Sequence, residues 1–167
     1  MKKPIFYLIL VIFFQSCWYT GIDDDQPYKS IYRPITQNRV AFEKTIVLKE
    51  AQPIRTSGKI YVKDDLIYLN ELREGFHVLD NSDPENPQPL AFIEIPLATD
   101  LAIRGNILYV HHAVDLISFS YSVSNNRLLI LHRERNVFPE LQSPDGFDPG
   151  HYGVSEGEIV LGYQPKD

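Results

Sequence analysis

An internal disulfide is excluded at the outset, because the 167-residue chain carries a single cysteine, Cys17. One thiol has no partner within the chain and builds no cysteine-based zinc cage. Basic charge is also scarce. Sixteen Lys and Arg stand against 22 Asp and Glu, for a formal net charge of −6. No basic stripe is available to displace phosphate counterions, so nucleic acid is not an expected partner. The familiar catalytic signatures are missing as well: there is no GxSxG elbow, no HExxH, no P-loop and no GxGxxG. The acidic stretches lack the DxDxDG spacing of a calcium loop. What remains is 44% apolar and 23% charged residues, a mix too apolar for a disordered tail and short enough for one domain.

The N-terminus is distinct from the rest. Lys2 and Lys3 precede an unbroken apolar run from Ile5 to Phe14. That run falls short of the roughly 20 residues needed to span a bilayer, and it fits the apolar core of a signal peptide over residues 1–16. It ends in Phe14-Gln15-Ser16-Cys17. A small residue before a lone cysteine resembles a bacterial lipobox, in which the sulfur receives diacylglycerol and the chain is cut before it. Phe14 and Gln15 depart from the Leu and small residue that the pattern prefers; relaxed forms of this kind occur among Bacteroidetes-type lipoproteins. The resemblance implies that Cys17 is lipidated and that the membrane is reached through a lipid anchor. The expected location is the cell envelope, at the outer membrane, with the periplasmic or surface face left open. Trp18 follows the cysteine where an inner-membrane retention signal would have Asp. Asp23-Asp24-Asp25 resembles a surface-export signal and reads equally as a solvated tether. Residues 17–38 hold Gly, Pro, Asp and Gln without periodicity and are read as a linker.

Beyond it, the pattern is that of strands. Val40 to Lys49 alternates at period two and is rich in β-branched residues, which predicts a strand closed by Pro53. Lys59 to Lys63 and Leu66 to Leu69, joined at Asp64-Asp65, predict a hairpin. Phe76 to Asp80 is the next strand. Asn81-Ser82-Asp83-Pro84-Glu85-Asn86-Pro87 is a strong turn, and Leu90 to Ile95 follows. The plan then recurs. Leu101 and Tyr109 each lie 41 residues after Ile60 and Tyr68, and Leu116 lies 40 after Phe76. Arg127 to Arg135 supplies a fourth strand. A period near 40 with four short strands per unit is a propeller-blade signature.

The stretch GFHVLDNSDPENPQPLAFIEIP followed by DLAIRGNILYV resembles the LVIVD repeat family, over roughly residues 58–135. Gly75, Leu79, Asp80, Ser82, Asp83, Pro84, Asn86 and Pro87 carry the resemblance in the first unit, and Gly105 and Asn106 continue it in the second. There Ser120 and Ser124 replace the motif's Asp and Pro. The resemblance implies a bacterial surface protein with propeller-like repeats and no shared activity. Physical chemistry reads Gly75, Asp80, Asp83, Pro84, Pro87 and Gly105 as structural, since Asp-Pro fixes a turn and glycine permits unusual dihedrals. The expected architecture is therefore all-β: two propeller-like blades, a partial or truncated propeller, over residues 58–98 and 99–135 of a repeat domain spanning 39–135. Closed propellers take about 4–8 blades, so open sheet edges or blade faces imply self-association, another chain or marginal stability.

Five histidines are candidate ligands. His77 lies within a strand, opposite in facing to Phe76 and Val78. His111 and His112 are adjacent on a strand and so face opposite ways, which is poor geometry for a shared metal; His132 and His151 stand apart. No metal, cofactor or catalytic residue is expected. Residues 136–167 combine a Pro- and Gly-rich loop with a terminal strand at Glu158 to Tyr163. Phe138, Phe147 and Tyr152 make the loop either a binding surface or a connector. A chain ending soon after a new strand also looks like a truncated longer protein. The expected function is a non-catalytic envelope module binding protein or glycan. The alternatives are an enzyme acting on extracellular glycan or peptide, and a remnant of a longer propeller.

Overall fold

A computed structural model describes residues 29–167. The apolar run, Cys17 and Asp23-Asp24-Asp25 lie outside the described residues. The described chain is all-β, arranged in three antiparallel sheets, none of which closes on itself.

The first repeat unit is a meander of β3 (Ser57–Lys63), β4 (Leu66–Glu71), β5 (Gly75–Asp80) and β6 (Gln88–Glu94). A further strand, β2 (Val47–Glu50), pairs antiparallel to β6, giving the sheet order β2-β6-β5-β4-β3. The second unit repeats the meander with β7 (Leu101–Arg104), β8 (Ile107–His112), β9 (Asp115–Ser122) and β10 (Arg127–Glu134). The sharp links have the residues that such turns need. Asp64 takes a positive φ between β3 and β4, and Gly105 does so between β7 and β8. Asn126 does the same between β9 and β10. These short polar residues and glycine tolerate the left-handed region at least cost.

One continuous apolar core joins the two units. It contains Tyr68, Phe76, Val78, Ala91 and Ile93 from the first sheet and Leu101, Leu108, Val110, Ile117 and Phe119 from the second. The register explains the selection. Tyr68 faces Val78, and Phe76 faces Ile93, across neighbouring strands. Leu108 faces Phe119, and Val110 faces Ile117. Each set is therefore one face of its sheet. Burying one such aromatic or aliphatic side chain contributes about 1.5–3 kcal/mol.

Two expectations are corrected. Residues 40–49 do not form one strand. A short helix, α1 (Arg39–Phe42), interrupts them, and β2 begins only at Val47. The Asn38 side chain accepts from the Val40 and Ala41 amides at 3.0 and 3.3 Å, which starts the helix. Phe42 is then buried, with its ring stacked on His112 at 3.9 Å. The local alternation lost to this tertiary contact. Nor is residues 17–38 a linker to its end. Tyr32–Asn38 is strand β1, paired with the C-terminal β11 (Glu158–Pro165) in a sheet of its own. Pro34 weakens the strand signal there, yet a two-stranded sheet leaves each strand an open side where a missing N–H is tolerated. Ile159 of β11 packs with Phe42 and Val114 in a second, smaller core.

Candidate functional site

The motif residues sit in turns. Asp80 accepts from the Ser82 amide at 2.8 Å and Asp83 from the Glu85 amide at 3.1 Å. The Asn86 amide donates to the Asp83 carbonyl at 3.0 Å, closing a β-turn with Pro84 at its second position. Pro84 is exposed and Pro87 half-buried. Gly75 adopts φ +146°, and a Cβ there would lie 2.1 Å from the Ile93 carbonyl oxygen. Gly105 takes φ +57° in open space. None of these residues lines the cleft that opens beside the second sheet.

That cleft has a volume of about 860 Å³ and lies between the second sheet and the Pro- and Gly-rich loop. Leu97, Val114 and Val160 form apolar walls, with His111 and Thr99 beside them. Arg73, Glu140 and Asp148 bring charge to it, and Phe138 and Leu141 present exposed apolar surface. Two unusual backbone conformations shape it. Arg73 and Leu97 both have positive φ, and they exchange contacts: the Leu97 amide donates to the Arg73 carbonyl at 2.7 Å. The Arg73 guanidinium donates to the Leu161 carbonyl at 3.1 Å, which ties the first sheet to β11.

The loop wall is held by its own hydrogen bonds. The Phe138 amide donates to the Val114 carbonyl at 2.9 Å, and the Tyr163 hydroxyl donates to the Leu141 carbonyl at 2.8 Å. The Gln142 side chain donates to Asp148 at 2.7 Å. Ser143 is buried and accepts from the Phe147 amide at 2.9 Å. Phe138 lies edge-on to His111, with ring centres 5.8 Å apart. Phe147 and Tyr152 do not join it: they pack on either side of His151, the former at 4.1 Å and the latter at 5.2 Å.

The adjacent histidines do face opposite ways. His111 lines the cleft, whereas His112 is fully buried on the core side of β8. His111 Nε2 lies 2.9 Å from the Leu97 carbonyl and 3.4 Å from the Thr99 hydroxyl. A carbonyl oxygen only accepts, so Nε2 carries the ring proton and is no base toward Thr99. Among the described residues no group of three or more His, Cys, Asp or Glu is placed to hold a metal ion.

Two buried polar corners lie apart from the cleft lining, neither of which alternation or spacing could reveal. In the first, Glu71 and His77 meet at 2.9 Å on the first sheet. Glu71 also accepts from the Arg55 amide at 3.0 Å and from the Thr56 amide, fastening the segment that crosses from β2 to β3. Burial pushes its carboxyl up, but the Arg55 amide, His77 and the Thr56 amide outweigh burial and hold it below the usual range. In the second, Asp115 is wholly buried and accepts from Arg133 at 2.7 Å, Arg39 at 3.0 Å and the Asn136 amide at 3.1 Å. Burial raises this carboxyl too, and the two guanidinium groups and the amide reverse it. Beside it, burial and then the Arg133 charge depress His112 to about 3. Arg133 donates to His112 Nδ1 at 3.2 Å, so Nε2 holds the proton and donates to Thr45 Oγ1 at 3.1 Å. Thr45 in turn donates to the Phe42 carbonyl at 2.8 Å.

A third polar contact joins the two units. Asp100 accepts from Lys59 and from the Tyr61 hydroxyl, so β3 of the first sheet is tied to the start of β7 in the second. The Lys59 and Tyr61 hydrogen bonds hold Asp100 down at about 2. Burial, then the bond to Asp100, pushes Tyr61 up to about 12.

No protein-family model, curated protein or solved structure matches the chain. Among the described residues no helix is long and apolar enough to cross a membrane.

Proposed function

We propose that the chain is a lipid-anchored, non-catalytic binding module of the bacterial cell envelope. In this reading its two four-stranded meanders are propeller-type blades of the kind that the LVIVD resemblance implies. The anchor is diacylglycerol on Cys17, and the outer membrane is its site. The ligand is a protein or glycan segment taken up in the cleft beneath Phe138.

The observation that carries the binding reading is the character of that cleft. Its walls are mostly apolar, a few polar groups converge on it, and a hydrogen-bonded loop shapes it, which is the usual make-up of a recognition site. Its one histidine has its Nε2 proton directed at a backbone carbonyl, which suits recognition better than proton transfer. Glu140 and Asp148 outnumber Arg73 on the lining, so a neutral or basic segment fits better than an anionic one.

The test is retention of the chain on arrays of envelope glycans and of peptides. Phe138→Ala and Leu141→Ala should each lower retention about tenfold, the effect of about 1.4 kcal/mol, with melting unchanged. Retention indifferent to both substitutions would place recognition elsewhere. For the anchor, Cys17→Ala should abolish labelling by a fatty-acid analogue and leave an unprocessed precursor; undiminished labelling would refute it.

A further inference from the structure

The two repeat units do not present equivalent faces to each other. The second unit's core residues are Leu101, Leu108, Val110, Ile117 and Phe119. Displaced by the repeat offset of 41 residues, or 40 after the shortened loop, the positions equivalent to these are Ile60, Ile67, Leu69, His77 and Leu79. All five lie on the face of the first sheet turned away from the second. The register shows this directly: Ile60 faces Leu69, Ile67 faces Leu79, and Leu69 faces His77. The units are therefore stacked head to tail, like slices of a ring, and not as a two-fold sandwich.

Head-to-tail stacking leaves one unsatisfied face at each end. On the first unit, Ile60 and Val62 are 64% and 62% exposed, although their equivalents Leu101 and Ile103 belong to, or pack on, the core. The crossing segment of residues 51–56 is hydrogen-bonded to Glu71 at the other end of that face, where His77 and Phe92 are buried, and its Ile54 adds exposed apolar surface. On the second unit the outer face holds Ala102 opposite Tyr109 and Tyr109 opposite Ser118. These are small or flat side chains, and Ala102 is exposed.

We infer that the outer face of the first unit docks on the outer face of the second unit of another copy of this chain, extending the internal interface between copies. The partner is a second copy because that interface is already built from this repeat, in the same face-to-opposite-face sense. If the rotation between units closes, about 4–8 sheets complete a ring, so the assembly contains two to four copies. Only this copy number rests on the blade reading; the docking surface borders the cleft, because Tyr109 and His111 share one face of β8.

The full chain in mild detergent, weighed by light scattering with the detergent mass subtracted, decides the matter. The wild type should assemble into a closed species of two to four copies. Ile60→Lys with Val62→Lys should raise the concentration at half-assembly at least about tenfold, and Ala102→Glu with Ser118→Glu should do the same. All four together should restore assembly, because opposite charges then meet across the interface. Circular dichroism and melting check that each variant folds; Ala102→Glu alone replaces its pair if that pair does not. A monomer at every concentration overturns the inference. So does assembly that ignores both pairs, which would place the contact elsewhere on the chain. Failure of the fourfold variant to assemble would also overturn it, since the two faces then do not meet.

Discussion

The two repeat units share a strand plan and differ in how their ends are fastened. In the first, a single carboxylate, Glu71, collects two backbone amides and His77, and so pins the segment that reaches β3. In the second, Asp115 collects two arginines and the Asn136 amide, and so pins α1, the end of β10 and the start of the cleft loop. The first corner spends most of its hydrogen bonds on backbone. The second is an ion-pair cluster whose partners come from two separate stretches of chain, α1 and the end of β10 with the residues just after it. The comparison shows where repetition stops: apolar strand positions recur at a fixed interval, while the buried polar groups that attach the non-repeated segments are particular to each unit.

The largest effect should come from a glycine of the first unit set against one of the second. At Gly75 an added Cβ would collide with the Ile93 carbonyl, and the neighbouring atom is backbone with no room to yield. Gly75→Ala should prevent cooperative folding, read as loss of the thermal transition. Gly105→Ala meets open space and carries only the conformational strain of a positive φ, about 1 kcal/mol. Equal melting temperatures for the two variants would break the contrast.

Asp115→Ala should follow in size. It leaves Arg39 and Arg133, both largely buried, without their shared carboxylate. Breaking a buried pair in this way costs about 3–5 kcal/mol. Arg55 and Thr56 donate to different oxygens of Glu71, so Glu71→Gln keeps an acceptor for only one of the two amides, and with no buried arginine left unpaired it should still cost less, about 1–3 kcal/mol. Denaturant titration of the two variants side by side measures the difference; a larger loss at Glu71 would reverse the ranking of the corners.

The corners should also differ with pH. His112 is depressed to about 3 in the folded chain, so the unfolded state binds its proton first as pH falls. Stability is fully present above about 6.5, the ordinary histidine value, and is lost progressively down to about 3. The loss amounts to a few kcal/mol by linkage. Asp115 acts in the same direction at lower pH: its carboxyl is held below the ordinary range, so its contribution fades as pH drops below 3.8. His112→Gln should flatten the stability profile between pH 6.5 and 4. A slope unchanged by that substitution would assign the effect to another group.

The smallest effect is expected at the exposed turn. Pro84→Ala leaves the Asp83 side-chain bond and the Asn86 amide bond in place and loses only the prearranged φ, about 0.4–1 kcal/mol. A drop beyond that range in the melting experiment would mean the turn does more than reverse the chain.

How far the sequence carried the reading follows from the range of the interactions involved. Period-two alternation and turn residues located the eight strands of the two meanders, because both signals lie within a few residues of each other. The offset of 41 residues identified the second unit for the same reason. Alternation failed at Val40 to Phe42, where the Asn38 cap and the stack on His112 favoured a helical turn. It was also silent about β1, whose partner β11 lies more than a hundred residues away. Phe138 was legible as a candidate for binding, but Arg73, Leu97 and His111 meet it only through the fold.

By itself, then, the sequence determined strand content, the repeat and the turn chemistry, since each depends on neighbouring residues and on a pattern that local sterics impose. Tertiary structure alone decided which face of each sheet is buried, how Asp115 gathers two arginines, and where the cleft opens. Those outcomes depend on desolvation and on contacts between distant segments. A carboxylate that reads as surface charge in the chain becomes the centre of a buried cluster only when Arg39 and Arg133 arrive from 76 and 18 residues away.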